Sequence, residues 1–249
     1  MPYNIPATAK TPALVIYLLD VSGSMEEKLD GRTRIDHVNA ALNGVLTQMV
    51  FRSTKGMVIS PRYRIALIAY SDTPMDLLGG VCTVDVIAQR GSPTLRAQRT
   101  TDTYAAFLKA RELLQQELSA PNNCPAPLVC HMTDGAYTGN DPEPLARELM
   151  GMRNADGNVL VQNIFIGNNL TSAPIGEPTE WPGVCAESEI ANPHAARLFR
   201  MSSELPEGYA AMMADEGYSL QPGSRMLYPA ASAELVQLAF AVSGATLVS

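Results

Sequence analysis

Three short segments carry side chains from which chemistry could be built. Asp20-Val21-Ser22-Gly23-Ser24 sets an acid and two hydroxyls at alternate positions on what reads as a turn. Thr100-Thr101-Asp102-Thr103 places Thr101 just before a helical pattern. Met132-Thr133-Asp134-Gly135 ends an apolar run on a second acid, and Gly135 allows a tight backbone exit. A hard divalent cation would choose such a set: Mg2+ prefers octahedral oxygen coordination, uses few carboxylates and keeps several waters. Hydroxyls from Ser22, Ser24 and Thr101 donate little negative charge. A metal held mainly by neutral oxygens therefore keeps its affinity for an anion from outside. The expected chemistry is recruitment of an acidic group on a partner. Taken singly, each of these residues reads equally well as a helix cap or an Asx turn.

Other residues offer less. His37, His131 and His194 lack the HxxxH or HExxH spacing of a zinc site. His131 and Cys130 lie inside an apolar run and read as core. No GxSxG elbow, GxxxxGK[ST] loop or GxGxxG fingerprint is present, and no catalytic residue is assigned. Glu26, Glu27 and Asp30 read as solvated acids and are not counted as ligands. Arg32 to His37 is a small basic cluster, suited either to steering an acidic partner or to a solvated helix start.

The elements that must position these residues follow from hydrophobic pattern. Continuous apolar runs at 13–19, 63–70, 127–133 and 158–167 predict strands covered on both faces. A shorter strand is expected near Val81 to Val86. Helical spacing marks 34–50, 103–118, 142–152 and a closing helix from about Ala231 to Ser243. The alternation predicts a mostly parallel sheet flanked by helices on both sides. In such a sheet ligands bind at the carboxyl ends of the strands, where Asp20 and Asp134 stand. Residues 168–229 hold many Pro and Gly, the sole Trp181, and helical fragments near His194 to Phe199 and Tyr209 to Glu216. They read as an insertion, part irregular and part helical, within one domain spanning 1–249. The core is then about 12–167 plus 231–243.

The 249 residues carry a formal net charge of −7, with 46% hydrophobic and 17% charged residues. That composition is globular, and the acidic balance argues against nucleic acid or an anionic membrane as partner. No run approaches the length of a membrane span, and the apolar stretch from Ala230 to Val248 is interrupted by polar residues. The expectation is a cytoplasmic protein. Four cysteines without a CxxC pair, Cys82, Cys124, Cys130 and Cys185, read as reduced buried thiols.

DVSGS, followed by Thr101 before a helix and by TDG at a later strand end, resembles the von Willebrand factor type A (vWA) domain. The resemblance covers about 12–167 and the closing helix. It implies a Rossmann-like, doubly wound α/β fold with an insertion before the last helix. It also implies a metal-ion-dependent adhesion site, or MIDAS. By resemblance Asp20, Ser22 and Ser24 supply its first loop, Thr101 the second (Thr100 and Thr103 align less well) and Asp134 the third. The implied metal is Mg2+ or Mn2+, with coordination completed by a Glu or Asp of a protein partner. The implied function is a non-enzymatic adaptor. Compact relatives of this kind are typical of bacteria; some work with MoxR-type AAA+ ATPases, and others, the TerY-like group, with kinases and phosphatases in stress or defence modules, which implies a bacterial, cytoplasmic adaptor. Two other readings stand beside it: a Mg2+-dependent hydrolase or phosphoryl-transfer enzyme, and a structural subunit docking through 168–229.

Overall fold

The computed structural model describes residues 3–29, 31–98, 100–120 and 123–244. Asp30, Pro121 and the end of the apolar tail, Val248 included, lie outside them. The chain runs through β1 (Ala13–Asp20), a hairpin of β2 (Lys28–Leu29) and β3 (Arg32–Thr33), α1 (Arg34–Ser53), and a second hairpin of β4 (Thr54–Lys55) and β5 (Val58–Ile59). There follow β6 (Tyr63–Tyr70), β7 (Pro74–Asp76), β8 (Cys82–Thr83), α2 (Val84–Arg90), α3 (Thr103–Glu117), β9 (Leu128–Thr133), α4 (Glu143–Gly151) and β10 (Leu160–Phe165). The last elements are α5 (Pro193–Arg200), α6 (Glu207–Asp215), β11 (Leu227–Pro229) and α7 (Ala233–Gly244).

Every residue of β1 is buried, as its unbroken apolar run requires. The strand lies in a seven-stranded sheet of order β11-β10-β9-β1-β6-β7, with β8 also paired to β6. Pairing is parallel from β11 through β6, and antiparallel only for β7 and β8. The chain moves from β1 to β6 on one side and returns through β9 on the other. The order therefore reverses between β1 and β9, and a crevice opens at their carboxyl ends. Asp20, the last residue of β1, is on one lip, and Asp134, the residue after β9, is on the other.

Helix α1 starts with a capping box: the Thr33 hydroxyl accepts from Asp36 N, and the Asp36 carboxylate accepts from Thr33 N. Its buried residues Ile35, Val38, Leu42, Val45 and Met49 recur at three- and four-residue steps and face the sheet. Helices α2 and α7 pack beside α1, while α3 packs with α4 on the opposite face. Tyr17 of β1 meets Phe240 of α7, and its hydroxyl lies 3.1 Å from Ser243 Oγ.

Two elements differ from the sequence expectation. The stretch from Val81 to Val86 divides, so that only Cys82–Thr83 pairs with β6 and α2 begins at Val84. Val84 and Ile87 are three apart and both buried, a helical spacing that outweighs their β-branching. Inside 168–229, Leu227–Pro229 adds the parallel edge strand β11 to β10. Three residues are too few to show periodicity, and Pro229 is tolerated because it sits at the end of an edge strand. The rest of 168–229 joins the same hydrophobic cluster as the sheet through Trp181, Val184, Leu198, Phe199, Met213 and Leu220. Of the cysteines, only Cys130 is fully buried; Cys82 and Cys124 are half-buried and Cys185 is exposed. Among the described residues no helix is long and apolar enough to cross a membrane.

Below the sheet, buried Asp156 accepts from Asn4 N (2.9 Å) and Ile5 N (3.0 Å) with one oxygen and from Ala126 N (3.0 Å) with the other. It thereby anchors the approach to β9. Asp156→Ala strands three backbone donors and is expected to lower the unfolding free energy by about 2–4 kcal/mol in a urea titration.

Candidate metal centre

The site is built by three loops at the carboxyl edge of the sheet. In the first, Asp20 Oδ1 accepts from Ser22 N at 2.9 Å, an Asx turn that folds the chain back over the strand end. That turn sets Ser22 Oγ and Ser24 Oγ 3.0 Å apart. Asp20 Oδ2 accepts from the Thr133 hydroxyl at 2.7 Å, so β1 and β9 are tied across the crevice. Thr133 Oγ1 in turn accepts from Gly135 N at 2.9 Å and shapes the third loop. Asp134 makes its own Asx turn, with Oδ1 accepting from Ala136 N at 3.1 Å.

The second loop is held by backbone bonds at both ends. Gln98 N donates to Val21 O, and Asp102 N to Ser71 O, each at 2.5 Å. The carbonyl of buried Thr101 accepts from Thr138 N (2.9 Å) and Thr138 Oγ1 (2.6 Å), joining second loop to third. Asp102 is the N-cap of α3, accepting from Ala105 N at 2.9 Å. Ser22 thus touches both Asp20 and Ser24. Asp134 stands close enough for its charge to act on Asp20, and the Thr101 carbonyl ties the second loop to Thr138 of the third.

Asp20 is fully buried. Burial pushes its carboxyl up to about 6; bonds from Thr133 and Ser22 oppose the shift, and the charge of Asp134 adds to it. Among the described residues no Lys or Arg forms an ion pair with Asp20. Asp134 differs. Arg34 Nη1 lies 3.0 Å from Asp134 Oδ2, 3.0 Å from Glu27 Oε2 and 3.2 Å from the Ser24 carbonyl. Glu26 and Glu27 are exposed, as expected of solvated acids, although Glu27 shares Arg34 with Asp134.

Three contributors were not legible as part of the site. Thr133 was passed over as the last strand residue; its hydroxyl at a strand end facing an acid is the available signal. Arg34 stood in the basic cluster, and nothing in sequence spacing connects it with a residue 100 positions away. The third is α5. Its Arg197 guanidinium sits 4.5 Å above the Tyr137 ring, and Gly135 abuts His194. Arg200 pairs with Glu143 of α4 at 3.0 Å and holds α5 there. The insertion therefore walls the third loop.

Beneath Thr133, His131 is enclosed. Asn163 Nδ2 donates to Met201 O (3.1 Å) and Ser202 Oγ (2.9 Å), so its Oδ1 must accept from His131 Nδ1 at 2.7 Å. Nε2 is left to accept from the Tyr70 hydroxyl at 2.6 Å. Burial holds the imidazole neutral, with its pKa lowered to about 4. His131 is a satisfied core histidine, in line with its place in an apolar run.

Residues 15–136, from within β1 to the start of the third loop, match the family model described as von Willebrand factor type A domain. The fold is a vWA fold. Among solved structures, the pilus adhesin SpaC from Lactobacillus rhamnosus GG superposes with a TM-score of 0.59 at 12% identity, over 94% of this chain and 30% of the adhesin. Proximal thread matrix protein 1 from the mussel byssus, with a zinc-occupied MIDAS motif, does so with a TM-score of 0.52 at 14% identity, over 94% of this chain and 48% of that one. This chain thus spans under half the length of either. No curated protein sequence matches it. vWA domains commonly mediate protein–protein interaction and bind a divalent metal at the MIDAS.

Two outcomes are expected of the site as folded. Gly135 has φ +82°, and an added Cβ would lie 2.8 Å from His194 Cβ. Gly135→Ala should therefore cost about 1–3 kcal/mol of stability in chemical denaturation. Asp20 binds its proton more tightly folded than unfolded, because its pKa rises from 3.8 to about 6. Its contribution in chelator is then fully present below pH 3.8 and is lost as pH rises through about 6. In EDTA the wild type should lose up to about 3 kcal/mol relative to Asp20→Asn between about pH 4 and 7, measured by denaturation at each pH.

Proposed function

We propose that this protein is a non-enzymatic interaction module that captures an acidic side chain of a protein partner through a divalent metal, Mg2+ or Mn2+. Asp20, Ser22, Ser24, Thr101 and Asp134 would hold the ion. The observation that carries this reading is the donor set itself: two serine hydroxyls 3.0 Å apart at the mouth of a buried carboxylate. The set fits a hard cation, being all oxygen and mostly neutral. Asp20 fits it too, since a buried carboxylate pushed up to about 6 is stabilised by a nearby positive charge. When bound, the ion supplies Lewis acidity toward an anionic oxygen from outside.

The chain's own residues fix the geometry in advance. Thr133 orients Asp20, the Asx turn aims the two serines, and the bonds from Thr138 to the Thr101 carbonyl hold the second loop against the third. Support for an interaction role comes from the vWA fold and from the zinc-occupied MIDAS of the byssus protein. Support for a binding rather than a catalytic role comes from His131, whose two ring nitrogens are both committed within the core.

The test is calorimetric titration with Mn2+ and Mg2+ of wild type, Asp20→Ala and Ser22→Ala, with melting curves beside it. Saturation at 100 times Kd should stabilise the wild type by about 2.7 kcal/mol and leave Asp20→Ala unmoved. Partner capture should then require metal and fail in EDTA. Equal melting temperatures with metal and with EDTA would overturn the reading.

A further inference from the structure

Resting on the metal reading above, we propose that Arg34 is an internal cation of the site that competes with the divalent ion for Asp134 and so keeps its affinity low. Arg34 is the first residue of α1, and its backbone is fixed: Arg34 N donates to Glu27 O at 2.9 Å, and Thr33 caps the helix. From there the side chain reaches the mouth of the site. There, Nη1 carries two hydrogens and faces three acceptors, Asp134 Oδ2 at 3.0 Å, Glu27 Oε2 at 3.0 Å and the Ser24 carbonyl at 3.2 Å. It cannot satisfy all three. On the same side chain, Nε is buried and has no hydrogen-bond partner. The group is thus overcommitted at one nitrogen and orphaned at another, a seat that costs little to leave.

Two consequences follow from charge. A guanidinium on Asp134 Oδ2 partly compensates one of the only two carboxylates in the donor set, and a divalent ion entering beside it meets a like charge at short range in a half-buried site. Both weaken metal binding. Glu27 acts in the opposite direction: its carboxylate draws on the same Nη1 and offsets the positive charge of Arg34. Arg34 is accordingly a competitor for Asp134 and Glu27 its counterweight. Site occupancy then depends on an acidic partner, whose carboxylate would compensate both the metal and the guanidinium.

The experiment is calorimetric titration of Mn2+ into wild type, Arg34→Gln, Arg34→Lys and Glu27→Gln, with melting temperatures in EDTA and in Mn2+. Arg34→Gln is expected to bind Mn2+ about tenfold tighter and to show a larger metal-induced rise in Tm, even if its Tm in EDTA falls. Arg34→Lys keeps the charge and should stay within about threefold of wild type. Glu27→Gln should bind about threefold more weakly. A support role for Arg34 moves Arg34→Gln the other way, so equal or weaker binding by Arg34→Gln, with wild type binding normally, overturns the inference and leaves the metal site standing. Binding by neither wild type nor Arg34→Gln overturns both.

Discussion

A carboxylate cannot be carried into a sheet covered on both faces without a partner for each of its oxygens, and the architecture around Asp20 answers that demand. β1 is buried along its whole length between two parallel neighbours, so its first acidic residue has to fall where the sheet stops. One oxygen of Asp20 is satisfied by its own turn and the other by Thr133 at the end of β9. The first bond creates the loop that presents Ser22 and Ser24. The second ties together the two strands between which the sheet order reverses. A single buried acid thereby fixes the shape of the first loop and the width of the crevice.

The same logic extends beneath the site. β9 brings His131 into the core two residues before Thr133, and the imidazole is accommodated by Tyr70 on one side and Asn163 on the other. Asn163 in turn bonds to Ser202 and to the Met201 carbonyl at the end of α5. A chain of neutral polar groups thus runs from β6 through β9 and β10 to the insertion. All members are hydrogen-bonded, which is the condition under which a buried polar network adds rigidity rather than strain. The insertion is also fixed from above, by Arg197 on Tyr137 and by the close approach of His194 to Gly135. The third loop is held from below and from the side.

Charge around the crevice is unevenly divided. Asp20 has hydroxyl and amide donors only, while Asp134 shares a guanidinium with Glu27. Two acids that look equivalent in sequence therefore occupy different electrostatic settings. Asp20 is the one for which a nearby cation offsets burial, and Asp134 is the one whose charge is already partly compensated.

How much of this could be read from the sequence follows from the range of each interaction. The runs at 13–19, 63–70, 127–133 and 158–167 became strands, and 34–50, 103–118 and the closing segment became helices. Periodicity is a local property, and desolvation on both faces leaves a signature in consecutive residues. Asp20 and Asp134 were legible as loop acids because each stands at the end of such a run. Thr133 as the partner of Asp20, Arg34 on Asp134, α5 against Gly135 and the edge strand β11 were not. Each depends on a contact between residues tens to hundreds of positions apart, or on a sheet edge that exists only once β10 is in place. The sequence by itself determined where strands end and which oxygens stand there. Only the tertiary structure decided which of those oxygens face one another and which charge each acid meets, because that is set by strand order and helix packing, to which local spacing is blind.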